Sequence, residues 1–378
     1  MKSLPESTLS LVKGHAPRAE TSWSPGLAIA FSKIATCIRS TERPSVNGIV
    51  ESLLQQGIIE VGNVEDGILE ARGLVFAVIG WQTMLYRSAL GTCPPQQLAV
   101  ADDQDGYRGE AFITLKQDQS SAKMPLNGFL MGFGILLPPS HLCLNEDPEE
   151  KRAFHDLKTI SPDDFNAFLL DSIGHIKIKW VDTISCHLEF DDRTNTVFLF
   201  RFPSFCATYL TATPSEKNFK SIIFAAAKPA SSTRKWAVED DITRMLNEIL
   251  LSYRLLFGQR KRSRKFFKSL VPFAGIPESG WDHLLKPLCG KKSFSFTKFH
   301  LDKDEYDMRQ DFAVLRSRIS RLFKVLSDKK PRTWREIWRD KRDSAGWYTF
   351  WTVLVFGAAS VLLSFFQVVL QIISLARE

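Results

Sequence analysis

Thirty consecutive residues, from Trp347 to Ala376, carry no charge, and only Arg377 and Glu378 follow them. No other stretch limits the fold as strongly. A helix needs about 20 mostly apolar residues to cross a hydrocarbon core of about 30 Å. At about 1.5 Å per residue, WYTFWTVLVFGAASVLLSFFQVVLQIISLA can cross with length left over for tilt. A buried or amphipathic helix of a soluble protein would carry charges along one face, and this segment has none. The sequence therefore predicts a transmembrane helix over 346–376.

The flanks predict its orientation. Lys329, Lys330, Arg332, Arg335, Arg339, Lys341 and Arg342 precede the span with few acids among them, and the positive-inside rule puts that side in the cytosol. Trp347, Tyr348 and Trp351 lie at the border, where amphipathic rings favour the headgroup layer. The N-terminal MKSLPESTLSLVKGHAPRAE has no apolar run of the kind a secretory signal requires. No Asn-x-Ser/Thr sequon occurs in the chain, which fits a domain that does not meet the glycosylation machinery. The expectation is a tail anchor with about 340 residues facing the cytosol.

Apart from the span, 44% hydrophobic and 24% charged residues make an ordinary globular composition, enough for one large or two modest domains. The net charge is +7, with much of the basic excess beside the span and in Arg260 to Lys268. A surplus beside a span points to anionic lipid before nucleic acid. Six scattered cysteines, none in a CxxC pair, read as reduced thiols.

Residues 1–25, rich in Ser, Pro and charge, predict disorder. LAIAFSKIATCI and VNGIVESLLQQ have helical spacing; Gly57 stops the second, and IIEV reads as a short strand. This succession also occurs in winged-helix modules. Gly73 to Tyr86 is uncharged but too short to span, so it predicts a buried helix. LNGFLMGFGILLPP reads as a buried strand or irregular core segment. Ser161, Pro162, Asp163 and Asp164 signal a helix start, with Gly174 past its end. HIKIKWVD, TISCHLEF and TVFLFRF predict a three-stranded antiparallel meander, the last two joined through DDRTN. EDDITRMLNEILLSYRLLFG is an acid-led helix stopped by Gly258. Phe312, Leu315, Ile319, Leu322 and Leu326 form a helical stripe suited to packing on the core.

No catalytic or cofactor signature is present: no GxxxxGK[ST], no GxGxxG after a strand, no HExxH and no GxSxG. DDQDG fails as a calcium loop, because Asp103, Asp105 and Gly106 leave Ala101 at the first ligand position and Phe112 at the bidentate one. His141, Cys143 and His155 match no zinc spacing and lack a fourth ligand. Cys186 and His187, neighbours on a predicted strand, would point to opposite faces and cannot form a dyad with each other. The chain thus predicts no catalytic residue, no cofactor and no metal.

Three features carry interaction chemistry. Arg260, Lys261, Arg262, Arg264 and Lys265 form a basic run suited to an anionic-lipid contact, a nuclear-import signal or a plain solvated helix end. Thr333 with Glu336 makes a capping box that starts a short helix within the basic interfacial segment 329–345. Its Trp334, Trp338, Arg339 and Arg342 have the composition of an interfacial element. Within the span, Gly357, Ser360, Ser364, Gln367 and Gln371 recur at steps of three and four. That spacing draws a seam of small and polar residues suited to a second helix.

ARGLVFAVIGWQTMLY, LEFDDRTNTVFLFRFPSFC, ILLSYRLLFGQRKRSRKFF and WREIWRDKRDSAGWYTFWTVLVFGAAS together resemble a large group of uncharacterised filamentous-fungal proteins. Members of that group end in the same Trp-rich basic segment and single C-terminal helix. The resemblance covers most of 65–375 and implies a membrane-anchored cytosolic protein of fungal origin. It implies no reaction and no catalytic residues.

The expected fold is α+β and mainly helical. It has a helical lobe over 26–145 with short strands, an α+β lobe over 146–328 with the meander near 175–202, and the membrane helix. The expected function is a tail-anchored scaffold or adaptor at the endoplasmic reticulum or another endomembrane. Its expected partners are the bilayer, anionic lipids and a second copy or another transmembrane helix; nucleic acid is disfavoured. One alternative is an accessory membrane protein of a fungal metabolic pathway with an unrecognised ligand-binding or catalytic pocket. Another is a winged-helix-like nucleic-acid binder at the nuclear membrane.

Overall fold

The computed structural model describes residues 6–13, 25–62, 64–101, 115–134, 137–138, 148–211, 222–227, 239–291, 295–296, 299–300, 302–329 and 344–375. The fold is α+β with helices predominating, as the periodicities predict.

The N-terminal part is built on three helices: α2 (Pro25–Ser40), α3 (Val46–Gln55) and α4 (Val64–Thr83). Ser45 starts α3 by accepting the Gly48 N–H on its hydroxyl at 3.0 Å, and Gly57 at φ +61 turns the chain after it. In α4, Ala71 and the run Leu74–Ile79 are fully buried, so the uncharged segment around Gly73 is the core helix its length implied. Two expectations need correction here. The first residues are not all disordered: α1 (Glu6–Ser10) leads Leu11 and Val12 into the core, where Val12 bridges Ile59. That bridge is also all that IIEV forms, because a single pairing satisfies Ile59 before α4 begins. A further correction concerns LNGFLMGFGILLPP. It opens with α5 (Leu126–Met131), whose Phe129 packs with Phe133 around Phe76. Between α4 and α5, β1 (Gln97–Ala99) and β2 (Lys116–Asp118) form an antiparallel pair.

In the second part, α6 (Pro148–Asp156) packs on the C-terminal helix of the core. β3 (Thr159–Ile160) pairs with a distant strand at Tyr306–Asp307. The helix signalled at Ser161 starts later. Ser161 to Phe165 form a turn, and Asn166, extended at φ −159, caps α7 (Ala167–Ser172) by accepting the Leu169 N–H at 3.1 Å. Ser263 also donates to Asn166 Oδ1, at 2.8 Å, which ties that cap to a distant element.

β4 (Lys177–Val181), β5 (Phe190–Asp191) and β6 (Thr196–Phe200) make a sheet, but not a meander. Its order is β4-β6-β5, with β4 parallel to β6 and only β5 antiparallel to it. The cause lies between β4 and β5. Ile184–Cys186 is a 3-10 turn and Leu188 sits at φ +62, so the chain reverses and places β5 on the far edge. β6 is then central and all five of its residues are buried. This explains why TVFLF is a continuous apolar run rather than an alternation.

Among the described residues, six further helices precede the last one: α8 (Pro203–Thr211), α9 (Ile222–Ala227), α10 (Glu239–Tyr253), α11 (Lys261–Phe267), α12 (Leu285–Leu288) and α13 (Arg316–Asp328). α9 touches α2, α4 and α5 on one side and α10 on the other, joining the two parts. The buried residues accordingly form one continuous cluster from Leu11 to Leu326. Ile319, Leu322 and Leu326 of α13 are fully buried in it, with Phe312 and Leu315 just ahead, so that stripe packs on the core as its spacing predicts. The last described element, α14 (Ser344–Leu375), is a 32-residue helix.

Candidate membrane helix and polar centres

Within α14, Tyr348–Ile373 is a 26-residue segment whose most apolar 18 residues have a mean hydropathy of 2.4. None of its most apolar window is buried inside the protein. Its length is about 39 Å at 1.5 Å per residue, more than a hydrocarbon core requires. Phe356, Val361, Leu363 and Phe365 are each more than 60% exposed. A soluble helix of this composition would be covered by the fold; among the described residues none buries this window. Among the described residues, then, there is one helix long and apolar enough to cross a membrane.

Tyr348, 67% exposed, and Trp351, half-buried, lie at the start of this segment; the backbone of Trp347 precedes them in the same helix. Trp334, Trp338, Arg339 and Arg342 fall outside the described residues, as do Asp103, Asp105, His141 and Cys143. Gly357, Ser360, Ser364, Gln367 and Gln371 are helical and exposed, and at about 100° per residue they share an arc of about 80°. Neither glutamine amide has a hydrogen-bond partner among the described residues.

The basic run occupies the turn into α11, and much of it has internal work. Arg260 pairs with Asp163 at 2.6 Å. Arg264 donates to the carbonyls of Gly258 and Gln259, at 2.8 and 2.7 Å, satisfying acceptors left open where the preceding helix ends. Arg262 lies over the Phe168 ring at 5.7 Å. Lys261 and Lys265 are exposed. α11 packs on α7, whereas α2 and α3 pack on α4. The run is thus no part of the α2–α3 surface.

A Ser–His pair, missed in the sequence because its members are 65 residues apart, lies in the interior. His187 Nε2 is 2.8 Å from Ser252 Oγ. Both residues are fully buried, and Cys186–His187 lies at a 3-10 turn rather than on the predicted strand. The tautomer follows from the partners. Phe200 N–H donates to His187 Nδ1 at 3.2 Å, so the proton resides on Nε2 and is donated to Ser252. Ser252 in turn donates to the Ile249 carbonyl at 2.7 Å. A general base needs the opposite arrangement, a bare nitrogen accepting from the hydroxyl. Burial, with the Arg318 charge beside it, lowers the His187 pKa to about 3 and keeps the ring neutral. This pair joins α10 to the sheet.

Two buried charges do comparable work. Arg254 is 1% exposed and follows α10 in a π-helical turn, Arg254–Gly258. It contacts Asp302 through two nitrogens at 2.6 and 3.0 Å and donates to the carbonyls of Leu288 and Gly290 at 2.6 and 2.9 Å. Glu248 accepts the N–H groups of Val314 and Leu315, at 3.0 and 2.7 Å, just ahead of α13. Burial pushes its carboxyl up to about 8 against the pull of those donors.

On the surface, α2 and α3 frame a polar cleft of about 260 Å³ whose lining includes Lys33, Thr36, Cys37, Arg43, Ser52 and Gln56. Among the described residues no cluster of His, Cys, Asp and Glu is arranged to hold a metal. The chain matches no protein-family model, no curated protein and no solved structure.

Proposed function

We propose that this chain is a single-pass membrane protein, anchored by α14 near its C-terminus, whose folded part is a scaffold or adaptor on the cytosolic face of an endomembrane such as the endoplasmic reticulum. One observation carries the proposal: a 26-residue apolar helix whose most apolar part no described residue buries. Exposed apolar surface of that extent is stable in lipid and unstable in water. The basic residues Lys329 to Arg342 on the N-terminal flank favour the cytosolic orientation. The kinship with filamentous-fungal proteins belongs to the same proposal. Orientation is tested by glycosylation mapping, since the chain has no native sequon. An acceptor placed after Glu378 should be modified and one placed in the folded part should not; the reverse pattern overturns the orientation.

The polar seam of α14 supports self-association in the bilayer. Gln367 and Gln371 have no partner among the described residues, and lipid tails offer none. Replacing both with Leu should weaken dimer signal in a membrane two-hybrid assay, and an unchanged signal removes the proposed interface. A second reading, an accessory protein that binds a small ligand, rests on the α2–α3 cleft. Its polar lining with two cations suits an anionic molecule, although its volume is just under the usual range for ligand pockets.

A further inference from the structure

Outside α14, Val271 is the most exposed large apolar side chain among the described residues, at 68%. Its exposure is built into the fold. Arg201 donates to the Pro272 carbonyl at 3.1 Å, and Phe273, 6% exposed, stacks on Trp281 at 5.8 Å and leans on Phe202 at 6.0 Å. The Phe273 carbonyl accepts the Ile276 N–H at 3.0 Å, closing a turn that Gly275 permits at φ +76. The loop is thus pinned on both sides of Pro272, and Val271 projects from a fixed support.

The helix leading into this loop is α11. Lys261, Lys265 and Lys268 follow at i, i+4 and i+7, which sets them in one line on the side opposite buried Ser263 and Phe267. None of the three has an acidic partner among the described residues. Lys268 precedes Val271 by three residues, so their backbones are at most about 11 Å apart. That is close to the distance over which a membrane surface potential acts in physiological salt. Aligned cations beside a projecting apolar side chain suit an anionic bilayer: the lysines meet headgroups while the valine enters the boundary region.

We propose that Lys261–Val271 is a second membrane contact, docking the folded part on an anionic leaflet. The proposal rests on α14 spanning that membrane, because the tether holds the surface at high effective concentration and a weak contact then suffices. It also gives Lys261 and Lys265 the lipid role their sequence suggested. Lys268 and Val271, outside that run, complete the contact.

The test uses the full chain in nanodiscs of phosphatidylcholine, with or without phosphatidylserine. An environment-sensitive fluorophore is placed on Val271→Cys in a background where Cys37, Cys93 and Cys143 are Ser, and acrylamide quenching is read. Quenching should fall several-fold in discs containing phosphatidylserine and return in discs without it. The variant Lys261→Glu/Lys265→Glu/Lys268→Glu should restore quenching as well. Each lysine near the surface is worth about fivefold, so loss of the three together weakens the docking equilibrium about a hundredfold. Equal quenching in all three samples, with the chain still migrating with the disc, overturns the contact. Shielding that ignores both lipid charge and the triple variant overturns it too, in favour of a protein partner. Loss of the chain from the disc would instead sink the membrane reading of α14.

Discussion

The insertion of α14 can be tested by loading its centre with charge until the balance reverses. Between Tyr348 and Ile373 lie fifteen Leu, Ile, Val and Phe residues. At about 0.3 to 0.6 kcal/mol each, they favour insertion by roughly 5 to 9 kcal/mol. Ser360 sits at the midpoint, and Gly357 and Ser364 lie about 5 Å from it along the axis. An arginine at this depth costs about 2.5 to 3.5 kcal/mol. One substitution, Ser360→Arg, should therefore leave the chain inserted. Three, Gly357→Arg/Ser360→Arg/Ser364→Arg, cost about 8 to 10 kcal/mol and should expel it. All three sites are small and uncovered, so the changes remove little apolar surface and disturb no packing in the folded part. The assay is extraction of cell membranes with alkaline carbonate. Wild type and the single variant should stay in the pellet and the triple variant should move to the supernatant. Release of the wild type, or retention of the triple variant, would refute the reasoning.

Two further outcomes concern the folded part. Asp302→Ala leaves the buried Arg254 guanidinium without its counter-charge, and breaking a buried pair in this way costs about 3 to 5 kcal/mol. Because Asp302 itself is 28% exposed, the lower end is expected by chemical denaturation of the full chain in micelles, and a change below 1 kcal/mol would contradict it. Stability should also depend on pH through two groups of opposite sign. The lowered His187 pKa means that the unfolded chain binds the extra proton between pH 3 and 6.5, so stability is lost as pH falls through that window. The raised Glu248 pKa means that the native chain binds the proton between pH 4.5 and 8, so stability falls as pH rises through it. Above pH 6.5 only Glu248 contributes, with a slope of at most about 1.4 kcal/mol per pH unit. Glu248→Gln should flatten thermal unfolding between pH 6.5 and 8; an unchanged slope would assign it to other groups.

What could be read from the residues follows the range of the interactions involved. The helices α2, α3, α4 and α13 and the uncovered helix α14 are set by local periodicity, caps and length, which a sequence carries in plain order. All three strands of the central sheet are legible, but their order and the direction of β4 are not. The parallel pairing of β4 with β6 depends on a 3-10 turn and on Leu188 at positive φ, for which TISCHLEF gives no signal. The start of α7 was displaced for a similar reason, since Asn166 is held as the cap by Ser263, 97 residues away. Arg254 with Asp302, Glu248 with the start of α13, and His187 with Ser252 are all contacts across many tens of residues, invisible to spacing.

The sequence by itself determined that this chain has one helix fit for a bilayer, because charge-free length is a one-dimensional property. The tertiary structure decided that no described residue buries the most apolar part of that helix, which distinguishes it from a buried core helix of the same composition. It also divided the basic run. Arg260, Arg262 and Arg264 are held by Asp163, Phe168 and two carbonyls, while Lys261, Lys265 and Lys268 are exposed. Charge is written in the residues; whether a charge is free to meet a partner depends on what the fold brings within about 4 Å of it.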